Sequence, residues 1–393
     1  MEGKYTGTSD PQAIAVANQT MILNMVRESK TTTRAKLAQQ LHLSPPSVSS
    51  NVERLLNKRV LVECGSDNEK PERPGRKGVL LMLNPEYKKI LAVDLSSKTI
   101  RIGLGNLQER MLFSQQYAPL EHERINDSVI RSIDSFMGEF NIGMEEIGVI
   151  VVCAPGIIDQ KTGEVEYAPQ LEGLEQSRLK HTLESYYQTK ILVKNDVNIR
   201  TLAEMRYGLG AETKNFMHIH IDIGVGAGLV IDGRVIEGSR FACGEIGYFF
   251  LDISQLDEKH NYGHLENHVA IPNLLTKIQK EMQREDLEPL TIEKVNQLYW
   301  EGDEYVISQI DLFARRIAFV IANATALLDI SKVSVGGAVT ELEVNLEDRI
   351  NHMLRYVMPY RPQVSFSALD STAFLLGAFD IGTELLLRES VAR

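Results

Sequence analysis

Phe216-Met217-His218-Ile219-His220-Ile221-Asp222-Ile223-Gly224-Val225-Gly226-Ala227-Gly228 decides how the 393-residue chain folds. Phe216 to Ile223 reads as a strand, and the strand runs into a turn with glycine at alternate positions. Other segments repeat that design. Ile90-Leu91-Ala92-Val93-Asp94-Leu95 is a buried-strand run followed by the alternating Ile100-Arg101-Ile102-Gly103-Leu104. Val149 to Cys153 stops at Ala154-Pro155-Gly156, and Val333-Ser334-Val335 stops at Gly336-Gly337-Ala338. Ile191-Leu192-Val193 stops at Lys194-Asn195-Asp196 and passes into a helix through Leu202 and Ala203. Glycine-rich turns at strand ends, with helices between the strands, predict an α/β fold whose ligands sit at the carboxyl ends of the strands. Gly224, Gly226, Gly228 and the Gly336-Gly337 pair are then the places where backbone amides approach a phosphate or a sugar, although each alone reads as a structural turn.

N-terminal to this body the pattern is different. Helical spacing runs through Ile14, Ile22, Leu23 and Val26. Thr31-Thr32-Thr33 supplies capping hydroxyls for a short helix over Arg34–Leu41, and Ser44 caps a third helix with Pro45 and Pro46 in its first turn. Val48, Val52, Leu55 and Leu56 make the apolar stripe of that helix. Ser47, Ser49, Ser50, Asn51 and Arg54 are assigned to its outer face, where short polar side chains reach base edges in a major groove and Arg54, Lys58 and Arg59 meet phosphates. Two short strands, Val60–Glu63 and Val79–Leu83, flank a segment carrying Arg73, Arg76 and Lys77, the basic tip of a wing suited to a narrow minor groove. A three-helix module that binds protein is the alternative. The order of two helices, a Ser-rich third helix and a basic wing favours double-stranded DNA.

Charge agrees with that division. The net charge is −11, yet residues 1–85 carry 12 Lys/Arg against 8 Asp/Glu, and the excess of acid lies wholly in the remainder. A basic head on an acidic body suits one polyanion-facing unit and one that is not. Three widely spaced cysteines build no disulfide framework, and Met1–Gln12 has no apolar core. A soluble chain in a reducing cytoplasm is expected, with no membrane association. Predicted units are a winged helix-turn-helix over 1–85, a first lobe over 86–195 completed by a helix over 371–393, and a second lobe over 196–370.

The winged head followed by Val93–Thr99, Cys153–Asp159, Asn195–Asn198, Gly224–Gly228, Cys243–Gly247 and Gly336-Gly337 resembles the ROK family (repressor, open reading frame, kinase). The match spans nearly the whole chain. It implies a two-lobed actin/hexokinase-like fold and places the chain with the repressors of the xylose, glucose and N-acetylglucosamine type. In the family's kinases the turn after the first Asp binds ATP phosphates. Here that turn is Leu95-Ser96-Ser97-Lys98, without glycine, and its side chains obstruct close backbone approach. No enzyme activity and no cofactor are therefore expected. Asp94 is retained, and two readings stand beside each other for it, a strand-end cap and a Mg²⁺ role.

The resemblance assigns the effector site to Gly156, Gln170, Asn195, Asp196, Glu245, Tyr248 and Glu266. Asp196 stands at the kinase general-base position and here accepts a hydrogen bond from a sugar; Glu245 and Glu266 match glutamates that hold ring hydroxyls. Gln170 and Tyr248 depart from the family's Asn and His. The family's zinc ligands fall on Asp257, Lys259 and His264, too poor a donor set for zinc, so no metal is expected. His260, His264 and His268 share helical spacing, which by itself makes no metal site. The expected function is a DNA-binding repressor of carbohydrate-utilisation genes with a sugar effector in a kinase-like cleft that has lost catalysis. It acts as a homodimer, with a tetramer as the larger option. Helices over Asp303–Leu328 and Ser371–Leu387 are long enough for dimer contacts. The alternatives are an ATP-dependent sugar kinase with an added head and a regulator controlled by a protein partner.

Overall fold

The computed structural model describes residues 10–66, 78–96, 99–119, 124–257, 263–282 and 289–392. The head contains α1 (Pro11–Ser29), α2 (Arg34–Gln40), α3 (Pro45–Asn57) and strands β1 (Thr32–Thr33), β2 (Leu61–Ser66) and β3 (Val79–Leu83). The strands form an antiparallel sheet in the order β1-β3-β2. Thr33 caps α2 by accepting from the Lys36 amide at 3.3 Å, and Ser44 caps α3 by accepting from the Ser47 amide at 3.4 Å. Val48, Val52 and Leu55 are fully buried against Ile22, Leu23, Val26 and Leu37. Each such aliphatic contributes ~1.5–3 kcal/mol on burial, enough to fix the helix on its neighbours. The wing residues Arg73, Arg76 and Lys77 lie outside the described residues.

The body has two sheets. The first is built from β4 (Lys89–Asp94), β5 (Thr99–Gly105), β6 (Met111–Pro119), β7 (Ile147–Ala154) and β10 (Lys190–Asn195), in the order β10-β7-β4-β5-β6. β10, β7 and β4 run parallel, and β5 and β6 complete the sheet antiparallel. Helices α4 (Ile125–Glu139) and α5 (Leu179–Tyr187) and a ribbon of β8 (Ile157–Ile158) and β9 (Val165–Tyr167) accompany it. After α6 (Asp196–Tyr207) comes the second sheet, of β11 (Phe216–Ile221), β12 (Val225–Ile231), β13 (Arg234–Val235), β14 (Lys332–Gly336) and β15 (Gln363–Phe366), ordered β13-β12-β11-β14-β15. It packs with α7 (Glu266–Val269), α8 (Ile271–Glu281), α9 (Ile292–Trp300), α10 (Glu304–Leu328) and α11 (Leu346–Val357). The last helix, α12 (Ala373–Ala392), returns to pack on β4, β7 and α6.

One expectation changes here. β11 ends at Ile221, and Gly226 and Gly228 lie inside β12, not in a turn. A Cβ on Gly228 would stand 1.8 Å from Thr201 Oγ1, and one on Gly226 2.9 Å from Val197 Cγ2. These glycines admit α6 onto the strand, and close helix–sheet packing requires them. The C-terminal helix turns its apolar side inward and leaves Glu384 and Arg388 exposed. Phe374, Leu375, Phe379, Leu386, Leu387 and Val391 are buried, in one continuous apolar core with Ile22, Leu23 and Val26 of the head. Among the described residues no helix is long and apolar enough to cross a membrane.

Candidate functional site

The parallel strands of both sheets point their carboxyl ends at one cleft of about 480 Å³. Asp94 ends β4, Ala154 precedes Pro155-Gly156 after β7, Asn195 ends β10, and Gly336-Gly337 follows β14. Gly156, Gln170, Asn195, Asp196, Glu245, Tyr248 and Glu266 all border this cavity, so residues 110 positions apart in sequence are brought together.

Local geometry explains each placement. Gly156 has φ +88°, and a Cβ there would lie 2.0 Å from the Tyr167 carbonyl oxygen, so only glycine makes this turn. Its carbonyl accepts from Asn195 Nδ2 at 2.9 Å, while Asn195 Oδ1 accepts from the Asn198 amide at 2.9 Å and caps α6. Asp196 follows in the first turn, 9% exposed. Burial, only partly offset by Arg200, raises its pKa to about 6. Glu245 is pushed up to about 7 by burial first, then by the charges of Asp196 and Glu266. Glu266 Oε2 accepts from the Val225 amide at 2.9 Å, which fixes the carboxylate beside Gly224. Burial raises the Tyr248 hydroxyl above its ordinary range, as does its hydrogen bond to Tyr167 from the ribbon opposite.

Arg200 was not singled out from the sequence, although i,i+4 spacing from Asp196 is the signal that finds it. Its Nη2 donates to Ser96 Oγ at 2.9 Å and to Asp94 Oδ2 at 3.3 Å, and its Nη1 donates to the Asp196 carbonyl at 3.2 Å. Ser96 Oγ and its amide both donate to Asp94 Oδ1, at 2.6 and 3.1 Å. Asp94 thus does more than cap a strand: both its oxygens are engaged by this cluster. Beyond Arg200 the cleft is lined by His218 and His220, whose pKa values burial depresses, His218 to about 4 and His220 well below its ordinary value. His218 Nδ1 sits 3.3 Å from Ser334 Oγ, and its Nε2 has no partner among the described residues.

Three further placements differ from expectation. Asn51 is 6% exposed and turned inward, accepting from Gln19 Nε2 at 3.2 Å and donating to the Ser47 carbonyl at 2.9 Å. It locks α3 to α1 and presents no side chain to a groove. Ser49, Ser50 and Arg54 are exposed, and Ser47 is half-buried with its Oγ accepting from Asn18 at 3.4 Å. Lys58 is held by the body, donating to the Ser390 carbonyl at 2.7 Å. His264 and His268 do not share a helix face, because α7 begins at Glu266; His264 is buried beside Phe250 and His260 lies outside the described residues. Lys259 is also outside them.

Two lobes with a cleft at the strand ends between them define the fold as sugar-kinase-like. Residues 90–384 match the ROK family model, and the chain belongs to that family. It is 25% identical over 386 residues to the xylose repressor of Caldicellulosiruptor bescii, covering 92% of this chain and 94% of the relative. Among solved structures, a ROK family transcriptional regulator, a homologue of the E. coli Mlc protein, superposes with a TM-score of 0.79 at 21% identity, over 96% of this chain and 98% of that one. A ROK family glucokinase from Streptomyces griseus, in complex with glucose and AMPPNP, has a TM-score of 0.64 at 21% identity over 75% of this chain and 98% of the kinase.

Proposed function

We propose that this chain is a cytoplasmic transcriptional repressor of carbohydrate-utilisation genes that reads an uncharged sugar. Its head, residues 1–85, binds operator DNA as part of a homodimer, with Ser49, Ser50 and Arg54 of α3 and the wing residues Arg73, Arg76 and Lys77 as the contacts. Its sensor comprises one lobe over 86–195 with 371–393 and a second over 196–370. The observation that carries the reading is the convergence of Asp196, Glu245, Glu266 and Asn195 on one cleft. Carboxylate acceptors beside an amide match the vicinal hydroxyls of a sugar, and the lining acids, Glu204 and Asp222 among them, outnumber the two lining arginines, Arg101 and Arg200, which disfavours a phosphate ester.

Phosphoryl transfer from ATP needs a backbone cradle and a free carboxylate for the metal that accompanies the nucleotide. Residues 95–98 contain no glycine, and both Asp94 oxygens are already taken by Ser96 and Arg200. The residues present therefore do not fit Mg-ATP. The match to the xylose repressor over 92% of this chain, against 75% of this chain for the glucokinase, supports a regulator in place of a kinase.

The test is a thermal-shift panel of pentoses, hexoses, N-acetylated amino sugars and their phosphate esters, run with a coupled ADP-release assay. A neutral sugar at about a hundred times its Kd stabilises by ~2.7 kcal/mol. ATP-dependent turnover abolished by Asp196→Asn makes the chain a kinase and overturns the proposal. No stabilisation by any sugar at millimolar concentration favours control by a protein partner instead.

A further inference from the structure

Helix α6 ends in charged clusters at both termini. Its first turns carry Asp196 and Arg200 at the cleft, and its last carries Arg206 and Tyr207, about 15 Å further along the axis at ~1.5 Å per residue. There Arg206 Nη1 donates to Asp380 Oδ1 at 2.7 Å, Arg206 Nη2 lies 3.3 Å from Glu109 Oε1, and the Tyr207 hydroxyl donates to Glu109 Oε2 at 2.5 Å. The same two carboxylates receive an arginine from the head. Arg27 of α1 donates through Nε to Glu109 Oε1 at 2.6 Å and through Nη2 to Asp380 Oδ1 at 2.7 Å. Arg27, Glu109 and Asp380 are 9%, 6% and 7% exposed. Two arginines, one from the head and one from the cleft helix, therefore divide two buried carboxylates between them.

The surroundings make α6 a rigid member. Gly226 and Gly228 of β12 bring it against the second sheet, and Gly377 of α12 brings it against that helix, where a Cβ would meet the Ile199 carbonyl oxygen at 2.0 Å. Beyond Arg27, two turns back along α1, Gln19 holds Asn51 of α3. The contacts are continuous from the cleft to the helix that faces DNA.

We propose that α6 transmits the state of the cleft to the DNA-binding head, with Arg206 and Tyr207 as positioning residues that set how Glu109 and Asp380 hold Arg27. This rests on the cleft being the effector site. A ligand that draws on Asp196 displaces the start of a stiff helix, and the displacement arrives at the shared carboxylates. Those carboxylates then hold Arg27 differently, and α1 moves with α3 attached. A chain of packed contacts earns the name of coupling only when a change at one end is measured at the other.

The experiment is hydrogen–deuterium exchange on the full-length chain without any sugar. Asp196→Asn perturbs the cleft end and Tyr207→Phe the head end, the latter removing one hydroxyl while leaving every charge in place. Asp196→Asn is expected to change exchange at residues 24–29 of α1 by roughly threefold to tenfold, the scale of one buried contact. Tyr207→Phe is expected to change exchange at residues 197–201 similarly, and the double variant to show no further change in α1. Helix α9 serves as the control and keeps the parent rate. Changes that stop within α6, or a uniform rise that includes α9, overturn the proposal. Because no sugar is used, failure of the sugar panel and failure of this link are separate results.

Discussion

Glu245→Gln isolates the electrostatic cost of the cleft. In the folded chain the Glu245 carboxyl titrates at about 7, against an ordinary value of 4.5, because burial and the neighbouring Asp196 and Glu266 oppose its charge. A carboxyl whose pKa is raised by folding is tolerated when neutral and costly when ionised. Stability therefore falls as pH rises from the unfolded value through the folded one, and the loss is complete above about pH 8. The difference of two and a half pH units, at about 1.36 kcal/mol each, sets a ceiling of ~3 kcal/mol. Of this about 2 kcal/mol develops between pH 5.5 and 8, and solvent at the cleft mouth trims it further because Glu245 is only half-buried. The amide of the variant carries a constant offset from its own hydrogen bonding, so the informative quantity is the change in the gap with pH. Calorimetric melting of parent and variant at pH 5.5 and 8 is expected to show the gap widening in favour of the variant, by about 3 °C for a body of this size. A gap that stays constant or narrows as pH rises refutes the assignment of a buried, repelled carboxyl. The same logic predicts sugar affinity in the parent that rises toward pH 8, since ionised acceptors bind hydroxyls best.

The head and the cleft each yield a further expectation. Ser50→Ala, on the exposed face of α3, relaxes base preference in a binding-site selection without moving the melting temperature, whereas Asn51→Ala strands Gln19 and destabilises the head by ~1–3 kcal/mol, lowering affinity for every sequence alike; identical selection profiles for Ser50→Ala and parent count against that face. Asn195→Ala removes the α6 cap, worth ~1 kcal/mol, and the donor to the Gly156 carbonyl, and it weakens sugar binding about tenfold or more; an unchanged titration curve removes Asn195 from the site.

Local signals in the chain translated well into structure. The hydroxyls of Thr33 and Ser44 cap the helices they precede, and the apolar runs at 90–95, 149–153 and 191–193 are adjacent strands whose ends meet at the cleft. What failed was side-chain direction. Asn51 lies three residues after Val48 and four before Leu55, on the same side of α3 as the buried stripe, so the helical phase already argued against a groove contact. Gly226 and Gly228 alternate with Val225 and Ala227 inside β12, so the glycine spacing that reads as a turn belongs to a strand. The Arg27–Glu109–Asp380 cluster had no local signal at all. Its members are separated by 82 and 353 residues, and only the assembled fold brings such charges together.

The shared core of α1 and α12 bears on how such chains can be recombined. A cut near residue 85 looks like a natural seam in the sequence, yet it would leave Leu386, Leu387 and Val391 facing water, along with two carboxylates left to Arg206 alone and a Ser390 carbonyl that lacks Lys58. Grafting a foreign DNA reader onto this sensor therefore requires transplanting the footing of α1, with Ile22, Leu23, Val26, Arg27 and Lys58 retained in the new head. The reader is interchangeable only at the face of α3 that looks away from the body.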